Sequence, residues 1–210
     1  MTLILFFKYI FLMEENNTSC EIRLYLLGNA SVGKTSFILK YVNDIFREDH
    51  IATVGIDYMY KETTLPNEKK VNLKFIDTAG QEKYRAIAYN LIKSAEGIIL
   101  MYDITDMKSF EAIPEWVENI REYKGNDFPI VLVGNKCDLE DKREVTKEEG
   151  NEEAKKNGFL FYEANNKDGI NVEEVVSTLA LKVYKKKAKK GKDKEKNMNL
   201  KKYKKKKKRC

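Results

Sequence analysis

Short apolar runs alternate along the chain with stretches whose apolar residues recur at helical spacing. Five compact runs read as strands, at residues 22–27, 71–76, 97–102, 130–133 and 159–162. A sixth stretch, residues 55–65, meets the run at 71 across Pro66, Asn67 and Glu68, which predicts a hairpin turn. Thr146 with Glu149, and Asn171 with Glu174, have the spacing of helix starts, where a side chain accepts from orphan N–H groups. Pro114 falls inside the helical pattern of residues 109–123 and predicts a late start or a kink. Strands alternating with helices predict an α/β fold with a mostly parallel sheet covered on both faces.

The pattern holds over residues 21–181, which we take as the folded body. Residues 1–20 precede it as an extension, apolar then polar. Its apolar part ends at Met13, is interrupted by Lys8 and is too short to span a bilayer. It lacks a basic leader segment and a small-residue cleavage site, so it reads as a flexible extension or as a leader before a start at Met13, not as a signal peptide. Residues 182–210 are lysine-rich with few apolar positions, and predict a disordered tail.

Charge sharpens this division. The net charge of +6 hides a tail with 17 basic and 2 acidic residues, against 22 basic and 31 acidic in the rest. An acidic body with a basic tail points to a negatively charged surface, membrane or nucleic acid, as the tail's partner. A hydrophobic share of 42% argues against a wholly disordered chain, and three cysteines are too few for a disulfide scaffold.

The run Gly28, Asn29, Ala30, Ser31, Val32, Gly33, Lys34, Thr35 follows a predicted strand and opens a helical pattern at Ser36. That is the context of a phosphate loop. The glycines let the backbone turn with its N–H groups pointing inward, and the helix N-terminus adds positive dipole. Lys34 would bridge the β- and γ-phosphates, and the Thr35 hydroxyl would ligate Mg2+. Asp77 ends another strand and is placed to hold Mg2+ through water. The Gly80 N–H would bond the γ-phosphate, and Gln81 is the candidate for orienting an attacking water. Asn135, Lys136 and Asp138 follow the strand at 130–133, where open α/β sheets bind ligands. A carboxylate there accepts from guanine N1–H and the 2-amino group, and adenine offers neither donor in that geometry.

Taken together, GNASVGKTS, ATVGIDY, DTAGQEKYR, GIILMYDITD and VGNKCDL resemble a small GTPase of the Ras superfamily, most like the Rab branch. The resemblance implies the P-loop NTPase (small G-protein) fold, with a six-stranded sheet and helices on both faces. It implies GTP or GDP with Mg2+ as ligands, and slow GTP hydrolysis, on the order of 10⁻⁴ to 10⁻² per second. Further roles follow at matching positions. Thr53 resembles the threonine that reaches Mg2+ and the γ-phosphate when GTP is bound. Phe46 stands where the family places an aromatic edge on guanine, and Ser36 resembles an α-phosphate contact. Residues 44–58 and 80–94 would be the two switches.

The chain also departs from the pattern. The family's Ser-Ala-Lys base motif is here Asn165, Asn166, Lys167, with a backbone N–H of Asn166 left to reach guanine O6 and the Lys167 stem left to pack on the base. Ile76 and Leu91 stand where Rab proteins carry effector-facing aromatics, leaving Tyr58 as the aromatic that remains. The chain ends on a single Cys210, with no CaaX pattern after it.

The partners implied are an exchange factor, an activating protein, effectors and an escort that binds a prenyl lipid. A lipid on Cys210 together with the basic run from Lys204 to Arg209 would hold the chain on an anionic membrane, since one lipid alone binds marginally and each lysine adds about 1 kcal/mol. The expectation is a monomer without a nucleic-acid partner, cycling between cytosol and the cytoplasmic face of an intracellular membrane. The competing readings are a P-loop kinase or ATPase, a GTP-binding scaffold that does not hydrolyse, a Ras-like signalling GTPase outside vesicle traffic, and a nucleic-acid binder using the tail.

Overall fold

The computed structural model describes residues 20–46, 56–78 and 91–207, with side chains throughout except at 56, 78 and 191–207. The described strands are β1 (Cys20–Leu27), β2 (Ile56–Thr64), β3 (Lys70–Thr78), β4 (Gly97–Asp103), β5 (Ile130–Asn135) and β6 (Leu160–Ala164). The described helices are α1 (Lys34–Asn43), α2 (Met107–Glu111), α3 (Ile113–Lys124), α4 (Lys147–Asn157) and α5 (Val172–Lys207). The strands form one sheet in the order β2-β3-β1-β4-β5-β6. β2 runs antiparallel to β3, and every other neighbouring pair is parallel.

The apolar runs have the lengths and compositions that this sheet requires. β4 and β5 are buried along their whole length, because helices cover both faces of the central strands, so their sequences are continuously apolar rather than alternating. β1 alternates: Ile22, Leu24 and Leu26 join a cluster with Phe37, Ile38 and Tyr41 of α1, while Tyr25 and Leu27 join one with Trp116, Val117 and Ile120 of α3. Val172, Val175, Val176, Leu179 and Val183 of α5 form the stripe that seals the first cluster. The β2–β3 hairpin closes where the Leu65 N–H donates to the Lys69 carbonyl and the Glu68 N–H to the Leu65 carbonyl, with Glu68 at a φ of 63°.

Local signals set the helix ends. Pro114 lies in the first turn of α3, and a break at Ala112 separates α3 from the short α2, which is a late start. Thr146 and Glu149 make the reciprocal capping pair at the head of α4. Asn171 differs from its expected capping role. Its φ is +59°, and its side-chain amide donates to the Glu163 carbonyl at 2.6 Å, so this turn is pinned to the end of β6.

The last helix extends past Lys182, since α5 continues to Lys207. Val183 is buried, the Lys186 ammonium meets the Asp127 carboxylate at 2.9 Å, and Lys187 meets Glu96 at 2.8 Å. These contacts make residues 182–187 part of the body. Beyond them, each added residue extends an existing helix without a new nucleus, and lysine and alanine are good helix formers.

Replacing Thr146 by Ala is expected to lower stability by about 1 kcal/mol through loss of the cap. Urea unfolding monitored by circular dichroism measures this, with an unchanged midpoint as the contrary result.

Candidate functional site

The parallel strands bring their carboxyl ends to one edge of the sheet, and the loops leaving β1, β3, β5 and β6 meet there. The loop after β1 is held in a conformation that few sequences allow. Gly28 has a φ of 138°, Ser31 of 62° and Gly33 of 96°. A Cβ on Gly28 would lie 2.1 Å from the Met101 carbonyl oxygen, so the backbone passes β4 at a distance that excludes any side chain. Gly33 is the N-cap of α1 and supplies no side-chain cap. The first N–H groups of that helix are therefore left for a ligand, which is an anion site in the making.

Lys34 opens α1 and folds back over the loop. Its ammonium donates to the carbonyls of Gly28 at 2.9 Å and Asn29 at 2.6 Å. Burial pushes its pKa from 10.5 down to about 8, while the charge of Asp77 pulls the other way. A buried ammonium held by neutral carbonyls is poorly compensated, and a phosphate anion in the loop would compensate it. Beside it, the Thr35 hydroxyl donates to the Asp77 carboxylate at 2.6 Å, bringing two hard oxygen donors together at the ends of α1 and β3. That donor pair suits Mg2+, which takes oxygen ligands and keeps several waters.

Next to the loop lies a cleft of about 240 Å³ lined by Gly33, Ser36, Phe46, Asn135, Lys136, Asp138, Leu139, Asn165, Asn166 and Lys167. Phe46 forms a half-open aromatic wall, and the Asp138 carboxylate is exposed to the cleft. Lys136, at a φ of 65°, pairs with Asp103 at the end of β4. The Asn135 amide donates to the Val32 carbonyl at 2.8 Å and the Asn166 amide to the Gly33 carbonyl at 3.0 Å. Asn165 Oδ1 accepts from the Lys167 and Asp168 N–H groups, which folds the loop after β6 into a tight turn. The buried Oδ1 atoms of Asn135 and Asn166 have no hydrogen-bond partner among the described residues.

The structure thus brings Gly28 to Ser36, Phe46, Asp77, Asn135, Lys136, Asp138 and Asn165 to Lys167 to one edge. Thr53, Gly80 and Gln81 lie outside the described residues, as do Cys210, most of both switch segments and the extension at 1–19. Of the effector-facing positions, Tyr58 is exposed on β2 opposite Ile76 of β3, but Ile76 is buried. Three supporting residues escape the motif reading. Asp103 holds Lys136, Leu139 lines the cleft, and the Trp116 indole donates to Asn29 Oδ1 at 3.1 Å. The chain's single tryptophan, on an amphipathic helix, reads as core in sequence, and only the fold shows that its N–H reaches the phosphate loop.

A model of the Ras family matches residues 23–185. The chain is 43% identical over 166 residues to the Ras-related protein Rab-3C of Bos taurus, covering 79% of this chain and 73% of that protein. It is equally similar to the human Ras-related protein Rab-3A, of which 75% is covered. The GTP-binding protein Rab-3D of Rattus norvegicus is 44% identical over 165 residues, or 79% of this chain and 75% of that protein.

A Cβ on Gly33 would lie 2.3 Å from Asn135 Nδ2 and 2.9 Å from Asn166 Nδ2, at a φ that strains any L residue. Gly33→Ala is therefore expected to weaken nucleotide binding about five- to hundredfold, as a strain of about 1–3 kcal/mol implies. Titration with a fluorescent guanine nucleotide reads this directly, and unchanged affinity would show that the loop relaxes freely.

Proposed function

The chain belongs to the Ras family as a Rab-like small GTPase, and from that premise we propose that the cleft at the carboxyl ends of β1, β5 and β6 is where it binds and hydrolyses GTP. The observation that carries this reading is the buried Lys34, set in a loop with Gly28, Ser31 and Gly33 at positive φ, directly beside a pocket edged by Phe46 and Asp138. In this reading the residues from Gly28 to Ser36 hold the phosphates. Phe46, Asn135, Lys136, Asp138 and the Asn165 to Lys167 turn hold the guanine. Guanine specificity rests on Asp138, which accepts from two ring donors that adenine lacks.

Thr35 and Asp77, with Thr53, would hold Mg2+, whose chemistry there is to neutralise charge on the β- and γ-phosphate oxygens. Lys34 and the loop N–H groups stabilise the same charge as it shifts toward the leaving oxygen. Gln81 orients the water for in-line attack on the γ-phosphorus, and Thr53 and Gly80 release when that phosphate leaves. The chain then works as a switch for vesicle traffic, meeting exchange factors, activating proteins, effectors and a lipid-binding escort.

We place it as a monomer on the cytoplasmic face of an intracellular membrane. Its attachment there runs through Lys204 to Arg209 and a lipid on Cys210. Among the described residues no helix is long and apolar enough to cross a membrane. α5 supports this reading. It starts beside the nucleotide cleft, and its lysines reach the opposite edge of the sheet, where Lys187 meets the Glu21 carbonyl and Glu96.

Asp138→Ala is expected to lower guanine nucleotide affinity by about two to four orders of magnitude, the worth of two charge-assisted hydrogen bonds at about 1.5–3 kcal/mol each. It also levels the preference for GTP over ATP. Competition of both nucleotides against labelled GDP measures this, and a preference untouched by the substitution would overturn the base-site assignment.

A further inference from the structure

The base-contact turn departs from its family at two adjacent positions, and the second departure has a structural consequence. Asn166 stands where the resemblance implies alanine. Its side chain is buried, with only 4% of the residue exposed, and the amide nitrogen lies 3.0 Å from the Gly33 carbonyl oxygen, 133 positions earlier in the chain. We propose that Asn166 is a positioning residue, whose amide ties the base-contact turn to the phosphate loop and thereby slows nucleotide release. An alanine could not make this tie.

The topology shows what the bond spans. Gly33 closes the loop that follows β1 and Asn166 lies in the turn that follows β6, and in the sheet these strands are separated by β4 and β5. Asn135, at the end of β5, makes a similar reach to the Val32 carbonyl. Two asparagine amides from two strands therefore grip two successive carbonyls of the phosphate loop. Gly33 permits both, because a Cβ there would collide with each amide.

The Gly33 carbonyl also accepts the first hydrogen bond of α1, from the Phe37 N–H at 2.9 Å. Asn166 occupies its second acceptor position and so fixes the start of the helix whose free N–H groups face the phosphates. A tie between the two halves of the site makes them open together instead of one at a time. Release then requires breaking base and phosphate contacts in one event, which lengthens residence. Deleting a buried donor leaves the Gly33 oxygen with one partner fewer in a low-dielectric setting, where the loss is felt most.

This inference rests on the guanine nucleotide reading of the cleft. The test uses the full chain loaded with a fluorescent GDP in Mg2+, chased with excess unlabelled GDP. Asn166→Ala is expected to release nucleotide about five- to tenfold faster with an association rate changed by less than about twofold, the split expected from losing one buried hydrogen bond. Asn166→Asp keeps the shape and removes the donor, and it is expected to release at least as fast as the alanine variant. Wild-type release rates in both variants would overturn the tie. A wild-type rate in the aspartate variant alone would also overturn it, by assigning the effect to packing. A wild-type chain that retains no guanine nucleotide at all would instead sink the cleft reading, a result distinct from either.

Discussion

The site depends on one backbone constraint. The loop between β1 and α1 places Gly28, Ser31 and Gly33 at positive φ within six residues. A loop of that shape is suited to turning successive N–H groups toward an anion, and Lys34 folds back onto its Gly28 and Asn29 carbonyls. Such a shape is strained at Ser31 and is open to L residues in few sequences, so it persists because its surroundings hold it. The β4 backbone closes on Gly28, Trp116 holds Asn29, and the two asparagines hold Val32 and Gly33. The loop is thus tethered from four other elements before any ligand arrives. That is the preorganisation an anion site needs if ligand binding energy is not to be spent on ordering the loop.

Lys34 makes the electrostatic side of the same argument. Its environment lowers its pKa because burial disfavours the ammonium more than Asp77 favours it. A buried cation whose neighbouring carboxylate does not offset its desolvation is an unstable feature in a structural core and a useful one in a binding site, since an arriving phosphate supplies further counter-charge. Thr35 and Asp77, already hydrogen-bonded at the adjoining ends of α1 and β3, extend the arrangement from one positive group to a pair of oxygen donors suited to a hard cation.

Much of this was legible in the sequence because the signals are local. Each strand run reappears within two residues at either end, and Thr146 caps its helix through contacts three residues apart. The phosphate loop declares itself through glycine and lysine spacing, since only glycine tolerates the close approach to Met101. What escaped was long-range. The reach of Trp116 to Asn29 spans 87 positions and that of Asn166 to Gly33 spans 133, and neither side chain follows any periodicity that would reveal its partner. The extent of α5 escaped for another reason. A lysine-rich segment looks unable to fold by burial alone, but helix already nucleated on Val172 to Val183 extends without needing burial.

The path of α5 links the two ends of the sheet. The helix begins at Val172, just after the turn that carries Asn165 to Lys167, and crosses the sheet with Val183 packed toward Gly97 at the start of β4. Its lysines then meet Asp127, which precedes β5, and Glu96, which precedes β4. The cleft proposed for the nucleotide lies at the carboxyl ends of the strands, and these contacts lie at their amino ends. One continuous helix connects them, packed on the sheet by five buried branched or leucine side chains. The lysines of α5 and the cleft therefore stand at opposite ends of the strands, an arrangement that fits the proposed attachment through the tail.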